Sequence, residues 1–146
     1  MATVLLVHGP NLNLLGQREP EIYGTATLDD YVRETERYAQ TLGLDLESFQ
    51  SNHEGEIVDR IHEARGRVQG IIVNAGALTH YSWALHDALA TFHGPIVEVH
   101  ISQPNAREPW RHTSVVAPVA SGSIAGFGLR GYELAVRAIA DILSSR

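Results

Sequence analysis

The sequence contains no cysteine and no lysine. The first absence removes disulfides, thiolate nucleophiles and sulfur-ligated metals. The second removes a Schiff-base lysine, a pyridoxal anchor and the lysine of a phosphate-binding P-loop. All 11 basic residues other than histidine are therefore arginine. A long hydrophobic run is missing too. The longest early one, Val4 to Val7, is far too short for a signal peptide or a membrane span, so a cytoplasmic protein with no membrane contact is expected. Nor is there a basic surplus. The formal charge of −6 argues against non-specific nucleic-acid binding, which needs a positive surface. A small anionic ligand stays open, because a few arginines can gather in one cleft.

What is present reads as one domain spanning residues 1–146. The chain is long enough for a real core, and 44% hydrophobic against 19% charged residues is not a disordered composition. No internal repeat, linker or low-complexity tract interrupts it. Apolar runs alternate with helical patterns instead. "TVLLVH" is a first strand, followed by the long segment "GPNLNLLGQREPEIYG" at residues 9–24. Leu28, Tyr31, Val32, Thr35, Ala39 and Leu42 recur at helical spacing, with Thr27 as N-cap assisted by Asp30 and Gly43 as the stop. "LDLESF" alternates like a half-exposed edge strand. "EGEIVDRIHEAR" puts Ile57, Val58, Ile61 and Ala64 on one helix face. "GIIVNAG" shows no alternation, as in a strand buried on both faces. A third helix is expected from near Thr79 to about Phe92, then a strand in "PIVEVHI" and a loop in "SQPNAREPWRHTS". A fifth strand in "ASGSIAGF" and a last helix from Tyr132 to Leu143 complete the chain. Five strands alternating with helices predict a three-layer α/β sandwich around a parallel sheet. The commonest strand order, 2-1-3-4-5, places a ligand crevice beyond the carboxyl ends of strands 1 and 3. Asn11, the stretch from Asn74 to His80, and Glu98 to Ser102 then meet at one rim.

In "EVH", Glu98 and His100 leave the strand on the same face. A carboxylate beside an imidazole fixes its tautomer and makes it a better acid or base, although a satisfied pair at a strand end explains this motif equally well. "NAGALTH" aims backbone N–H groups at the rim, where an anion would sit, with His80 in the first turn of the helix. Alone, it also reads as an ordinary turn capped by Thr79. Arg107 and Arg111 of "AREPWR" lie four apart beside the rim and offer the usual grip for a carboxylate; alone, they read as a surface pair neutralised by Glu108. Metal binding has less support, since no two histidines show H-x-x-x-H spacing and His80 and His86, six apart, fall on different helix faces. "GFGLRG" matches G-x-G-x-x-G, but no strand follows it and no acid stands about 20 residues on, so it reads as a tight strand-to-helix turn.

The segment at 9–24 is too long for a plain connector. A free tyrosine, with a pKa near 10, is a poor base. Arg18 would stabilise the Tyr23 phenolate if the segment folds over the site; lowering the phenol by two to three units needs about 3–4 kcal/mol of preference. Gly16 and Gly24 bracket the stretch as hinges, so a lid over about 16–24 is expected. With nothing else around it, a tyrosine anchor and a solvated arginine would be the simpler reading.

Taken together, "GPNLNLLGQREPEIYG", "SNHEGEIVDRIH", "NAGALTH", "EVHIS" and "AREPWR" resemble the type II dehydroquinases (3-dehydroquinate dehydratases), in order and as far as the final "GYELAV" helix. The resemblance implies a flavodoxin-like fold and anti elimination of water from 3-dehydroquinate, through an enolate, to 3-dehydroshikimate in the shikimate pathway. It implies no cofactor, no metal, and a dodecamer of four trimers. By motif, Tyr23 would be the base, Arg18 would hold it as phenolate, and Asn11 would position a water on the enolate oxygen. His100, oriented by Glu98, would protonate the departing hydroxyl. Asn74 and the backbone N–H groups of Ile101 and Ser102 would take the substrate carboxylate. His80 and Arg111 would bind ring hydroxyls, Arg107 and Gly76 would support the site, and Asp87 would reach the neighbouring subunit's site. Gln103 stands where asparagine is usual, Trp110 where phenylalanine is usual, and His86 where arginine often precedes the aspartate; none of these removes a reacting group. A lysine-free chain cannot use the imine route of the other dehydroquinases. What remains is acid and base, each worth about 10²–10⁴-fold, with charge stabilisation of the enolate. Two rivals differ in class. A flavodoxin-like signalling or flavin module would want carboxylates where His8, Gly9 and Asn74 stand, or a yellow protein. A histidine-metal hydrolase would lose activity to a chelator.

Overall fold

The computed structural model describes residues 1–17 and 19–145, and of Tyr23 the backbone alone. Arg18 and the Tyr23 side chain, on which the phenolate expectation falls, lie outside the described residues. The apolar runs form β1 (Ala2–His8), β2 (Leu44–Gln50), β3 (Gly70–Asn74), β4 (Ile96–His100) and β5 (Gly122–Ala125). All pair in parallel in the order β2-β1-β3-β4-β5, the expected one. Among the described residues five α-helices accompany them: α1 (Pro20–Tyr23), α2 (Leu28–Thr41), α3 (Glu54–Ala64), α4 (Trp83–Ala90) and α5 (Leu129–Ser144).

Alternation along the strands builds two cores. Leu5, Val7, Ile71 and Val73 pack on Ile57 and Ile61 of α3 and on Leu85 and Leu89 of α4. Val4, Leu6, Ile72, Val97 and Val99 face the other way, onto Tyr31 and Ala39 of α2 and Tyr132, Val136 and Ile139 of α5. Each large side chain fully removed from water contributes about 1.5–3 kcal/mol, so the sheet is clamped on both faces. β3 is buried throughout, whereas β2 and β5 alternate or lie open as edges do. The α2 start is the anticipated capping box: Thr27 Oγ1 accepts from the Asp30 N–H at 3.1 Å and Asp30 Oδ2 accepts from the Thr27 N–H at 2.9 Å. No helix among the described residues is long and apolar enough to cross a membrane.

Some boundaries differ from expectation. The third helix starts at Trp83, not near Thr79, because Ser82 is the cap and its Oγ accepts from the Leu85 N–H at 3.1 Å. Gly76–His80 coils as a separate 3-10 turn, which puts His80 in that turn rather than in the helix. The helix also stops at Ala90, two residues before Phe92. Pro20–Tyr23 forms a short helix inside the segment expected to be irregular. At the far edge, Gly126 (φ 95°) and Gly128 (φ 56°) make the anticipated glycine turn into α5.

Candidate active site

The switch in strand order lies between β1 and β3, whose last residues, His8 and Asn74, are register partners. Chain leaving β1 must pass directly beneath chain leaving β3. Gly9 permits this, since a Cβ there would stand 2.2 Å from the Ala75 carbonyl oxygen. Its N–H donates to the Asn74 carbonyl at 2.9 Å. Gly76, at φ 61°, turns β3 outward and donates its N–H to Asn74 Oδ1 at 3.2 Å. Asn11 takes a left-handed conformation at φ 71° and is held by Asn52 Oδ1, which accepts its N–H at 3.0 Å.

These turns wall a cleft of about 270 Å³. Asn11, Asn74 and Gly76 line one side; His80, His100, Ile101 and Ser102 line another; Arg107, Trp110 and Arg111 close it. Among the described residues no aspartate or glutamate lines it, although the chain is acidic overall. Two arginines and two histidines therefore face the space, and the carboxylates that pair with them stand behind its wall.

Each polar side chain there is held from behind. Glu98, 3% exposed, accepts from His100 Nε2 at 2.6 Å, from Ser114 Oγ at 2.9 Å and from Ser123 Oγ at 3.1 Å. Burial alone would push its carboxyl up. The His100 hydrogen bond and charge and the two serine donors outweigh burial and hold it below its usual range. An ionised carboxylate only accepts, so the proton between the pair sits on His100 Nε2, and exchange with a ligand falls to Nδ1. His80 Nδ1 lies 2.7 Å from the Thr113 carbonyl, so it donates there and leaves Nε2 as acceptor. Burial pushes His80 down foremost, favouring the neutral ring. Arg111 lies 4.0 Å over the Trp110 ring and donates from Nε to Glu108 at 2.9 Å. Arg107 donates to Ser102 Oγ at 3.2 Å and pairs with Glu108 at 3.7 Å and with Glu19, beside α1, at 3.8 Å. It thus links Glu19 to the rim, and Gly16 and Gly24 have φ of 87° and 78°.

Of the sequence candidates, ten meet here: Asn11, Asn74, Gly76, His80, Ile101, Ser102, Arg107 and Arg111 with the pair Glu98 and His100. Asp87 does not; it lies exposed on α4. Gln103 packs beside Gly126 at the edge of the site and His86 bonds the Val115 carbonyl at 2.7 Å. Sequence reading missed Ser114 and Ser123. The second was within reach of it, because Ser123 is the β5 register partner of Glu98.

Known proteins resemble this chain along nearly its whole length. A family model described as dehydroquinase class II matches residues 2–140. A catabolic 3-dehydroquinase of Aspergillus clavatus is 55% identical over 94% of this chain and 92% of its own length. A 3-dehydroquinate dehydratase of Halalkalibacterium halodurans is 52% identical over 97% of both. The crystal structure of a type II dehydroquinase from Propionibacterium acnes superposes with a TM-score of 0.93 at 44% identity, covering 97% of each chain. With its flavodoxin-like sheet, a cleft at the switch in strand order and these matches, the chain belongs to the dehydroquinase class II family.

Proposed function

We propose that the chain removes water from 3-dehydroquinate by acid–base chemistry alone. The observation that carries this is the Glu98–His100 pair at 2.6 Å, opening onto a cleft lined by arginines and histidines and, among the described residues, by no acid. Tyr23, as phenolate held by Arg18, takes the proton from the carbon beside the ketone, and that electron pair becomes an enolate. Asn11 positions the water that hydrogen-bonds the enolate oxygen. As the enolate collapses in anti fashion, the C–O bond breaks and His100, entering the step as imidazolium with a proton on each ring nitrogen, gives the one on Nδ1 to the departing hydroxyl, which leaves as water. Glu98 keeps Nε2 protonated throughout, so a single nitrogen is available for the transfer.

The substrate carboxylate meets Asn74 and the N–H groups of Ile101 and Ser102. His80 Nε2 accepts from a ring hydroxyl and Arg111 donates to another, while Arg107 supports Ser102 and the lid. Asp87 serves the site of an adjacent copy in a dodecamer of four trimers. Exposed Tyr81 and Trp83, each 62% accessible on the approach to Asp87, support a copy-to-copy contact there, and sedimentation of the purified protein reads its mass. A cytoplasmic place of action fits the cysteine-free composition. Mixing the protein with 3-dehydroquinate and following the enone absorbance tests the reaction. Turnover that survives borohydride and a chelator is expected; loss to borohydride would mean an imine, and loss to the chelator a metal.

A further inference from the structure

Behind Asn74 runs a buried polar chain that the chemistry above does not use. His8 and Asn74 end neighbouring strands in register and both turn toward α5. There the fully buried Tyr132 sets its hydroxyl between them, 2.8 Å from His8 Nε2 and 3.0 Å from Asn74 Nδ2. The His8 ring stacks on Tyr132 at 5.5 Å and 16°. Three polar groups in an apolar layer carry a desolvation cost that only a satisfied network offsets.

The hydrogen bonds of this polar chain run in one direction. Because the Gly76 N–H occupies Asn74 Oδ1, it is the amide nitrogen that faces Tyr132 and donates. With that donor arriving, the phenol's own proton goes to His8 Nε2, which must be unprotonated. This leaves one orphan, the proton on buried Nδ1, which has no partner among the described residues. The other tautomer would orphan both Nδ1 and the phenol proton. Burial, which keeps His8 neutral, agrees. The chain therefore runs from Asn74 to Tyr132 to His8, and the second Nδ2 hydrogen of Asn74 remains for the cleft that Asn74 lines.

We propose that His8 and Tyr132 are positioning residues for substrate binding, which hold the nitrogen side of the Asn74 amide as the Gly76 N–H holds its oxygen side, and so keep its donor, and not its oxygen, toward the substrate carboxylate. The proposal rests on the reading of Asn74 as the carboxylate's anchor. Three variants test it: Tyr132→Phe, His8→Leu and His8→Gln, the last carrying an acceptor near the Nε2 position. Tyr132→Phe and His8→Leu are expected to raise KM for 3-dehydroquinate about tenfold or more with kcat changed much less, the size of one hydrogen bond to a charged group. His8→Gln is expected to return KM to near the parent value. An unchanged KM in the first two variants overturns the proposal, as does a rise that follows melting temperature and ignores the glutamine. Crystals of Tyr132→Phe give an independent reading: the Asn74 amide should be rotated or split between orientations, and an unchanged amide overturns the proposal. If the parent does not dehydrate 3-dehydroquinate, the reaction fails as a reading, and the Asn74 orientation alone decides the positioning role.

Discussion

Acidification should unfold this protein sooner than its carboxylates require, and His8 should be the reason. The residue is 1% exposed, and burial pushes its imidazole from 6.5 down to about 3. In the unfolded chain the ring regains its ordinary value. Between those limits the unfolded state binds a proton that the folded state refuses, so stability falls as the pH falls, by up to about 1.4 kcal/mol per unit. Two units below 6.5 the loss is about 2.7 kcal/mol, or about 5–10 °C in Tm for a domain of this size. Glu98 acts lower down. Its carboxyl is depressed from 4.5, so its contribution is intact above that pH and fades below it. His80, also lowered by burial, adds a slope of the same sign, but it is present in parent and variant alike. The assay is urea unfolding of the parent and His8→Gln between about pH 7 and 4.5, at one protein concentration. The parent should lose stability relative to the variant by about 1.4 kcal/mol per unit once below 6.5. Parallel curves would show that His8 titrates freely in the folded protein, and would refute both its enclosure and the direction of its bond with Tyr132.

Three further substitutions follow from the geometry. Glu98→Gln removes the charge that His100 Nε2 donates to; a hydrogen bond to a charged group is worth about 1.5–3 kcal/mol, so kcat should fall about 10–100-fold with KM little changed, and an unaltered kcat contradicts the role. Arg111→Ala should raise KM by about tenfold or more on the same scale and leave the melting temperature within a few degrees; the reverse pattern would make Arg111 a structural residue. Gly9→Ala drives a Cβ to 2.2 Å from a backbone oxygen, so urea unfolding should show a loss of about 1–3 kcal/mol or more, and a stability equal to the parent would mean the β1–β3 crossing has room to spare.

Much of this molecule is legible along the chain. The unbroken β-branched character of Gly70–Asn74 marks a strand buried on both faces, and β3 is central. Thr27 with Asp30 writes a capping box into four residues, and the box forms. Where reading failed, two local signals competed. Thr79 and Ser82 can each cap a helix, and the choice went to Ser82 because Gly76–His80 was free to coil as a 3-10 turn. Pro20 at a first helical position could have announced α1, but four residues are too few to show a period. The site divides the same way. Glu98 and His100 are two apart on one strand, so their pairing follows from the pleat. Other partners are far off in sequence: behind Glu98 stand Ser114 from a loop and Ser123 across the sheet, and behind Asn74 stands Tyr132 from the last helix. Tyr132 falls on the apolar stripe of α5 and looks like core, which it is; that its hydroxyl also bridges His8 and Asn74 depends on contacts across 124 and 58 residues, which no local pattern records.

The tyrosinate mechanism is tested most directly by enone formation from 3-dehydroquinate with the parent and with Tyr23→Phe, matched for circular dichroism and melting temperature. Loss of the base predicts steady product from the parent and a rate at least about 10³-fold lower from the variant. Product from Tyr23→Phe at close to the parental rate would contradict it.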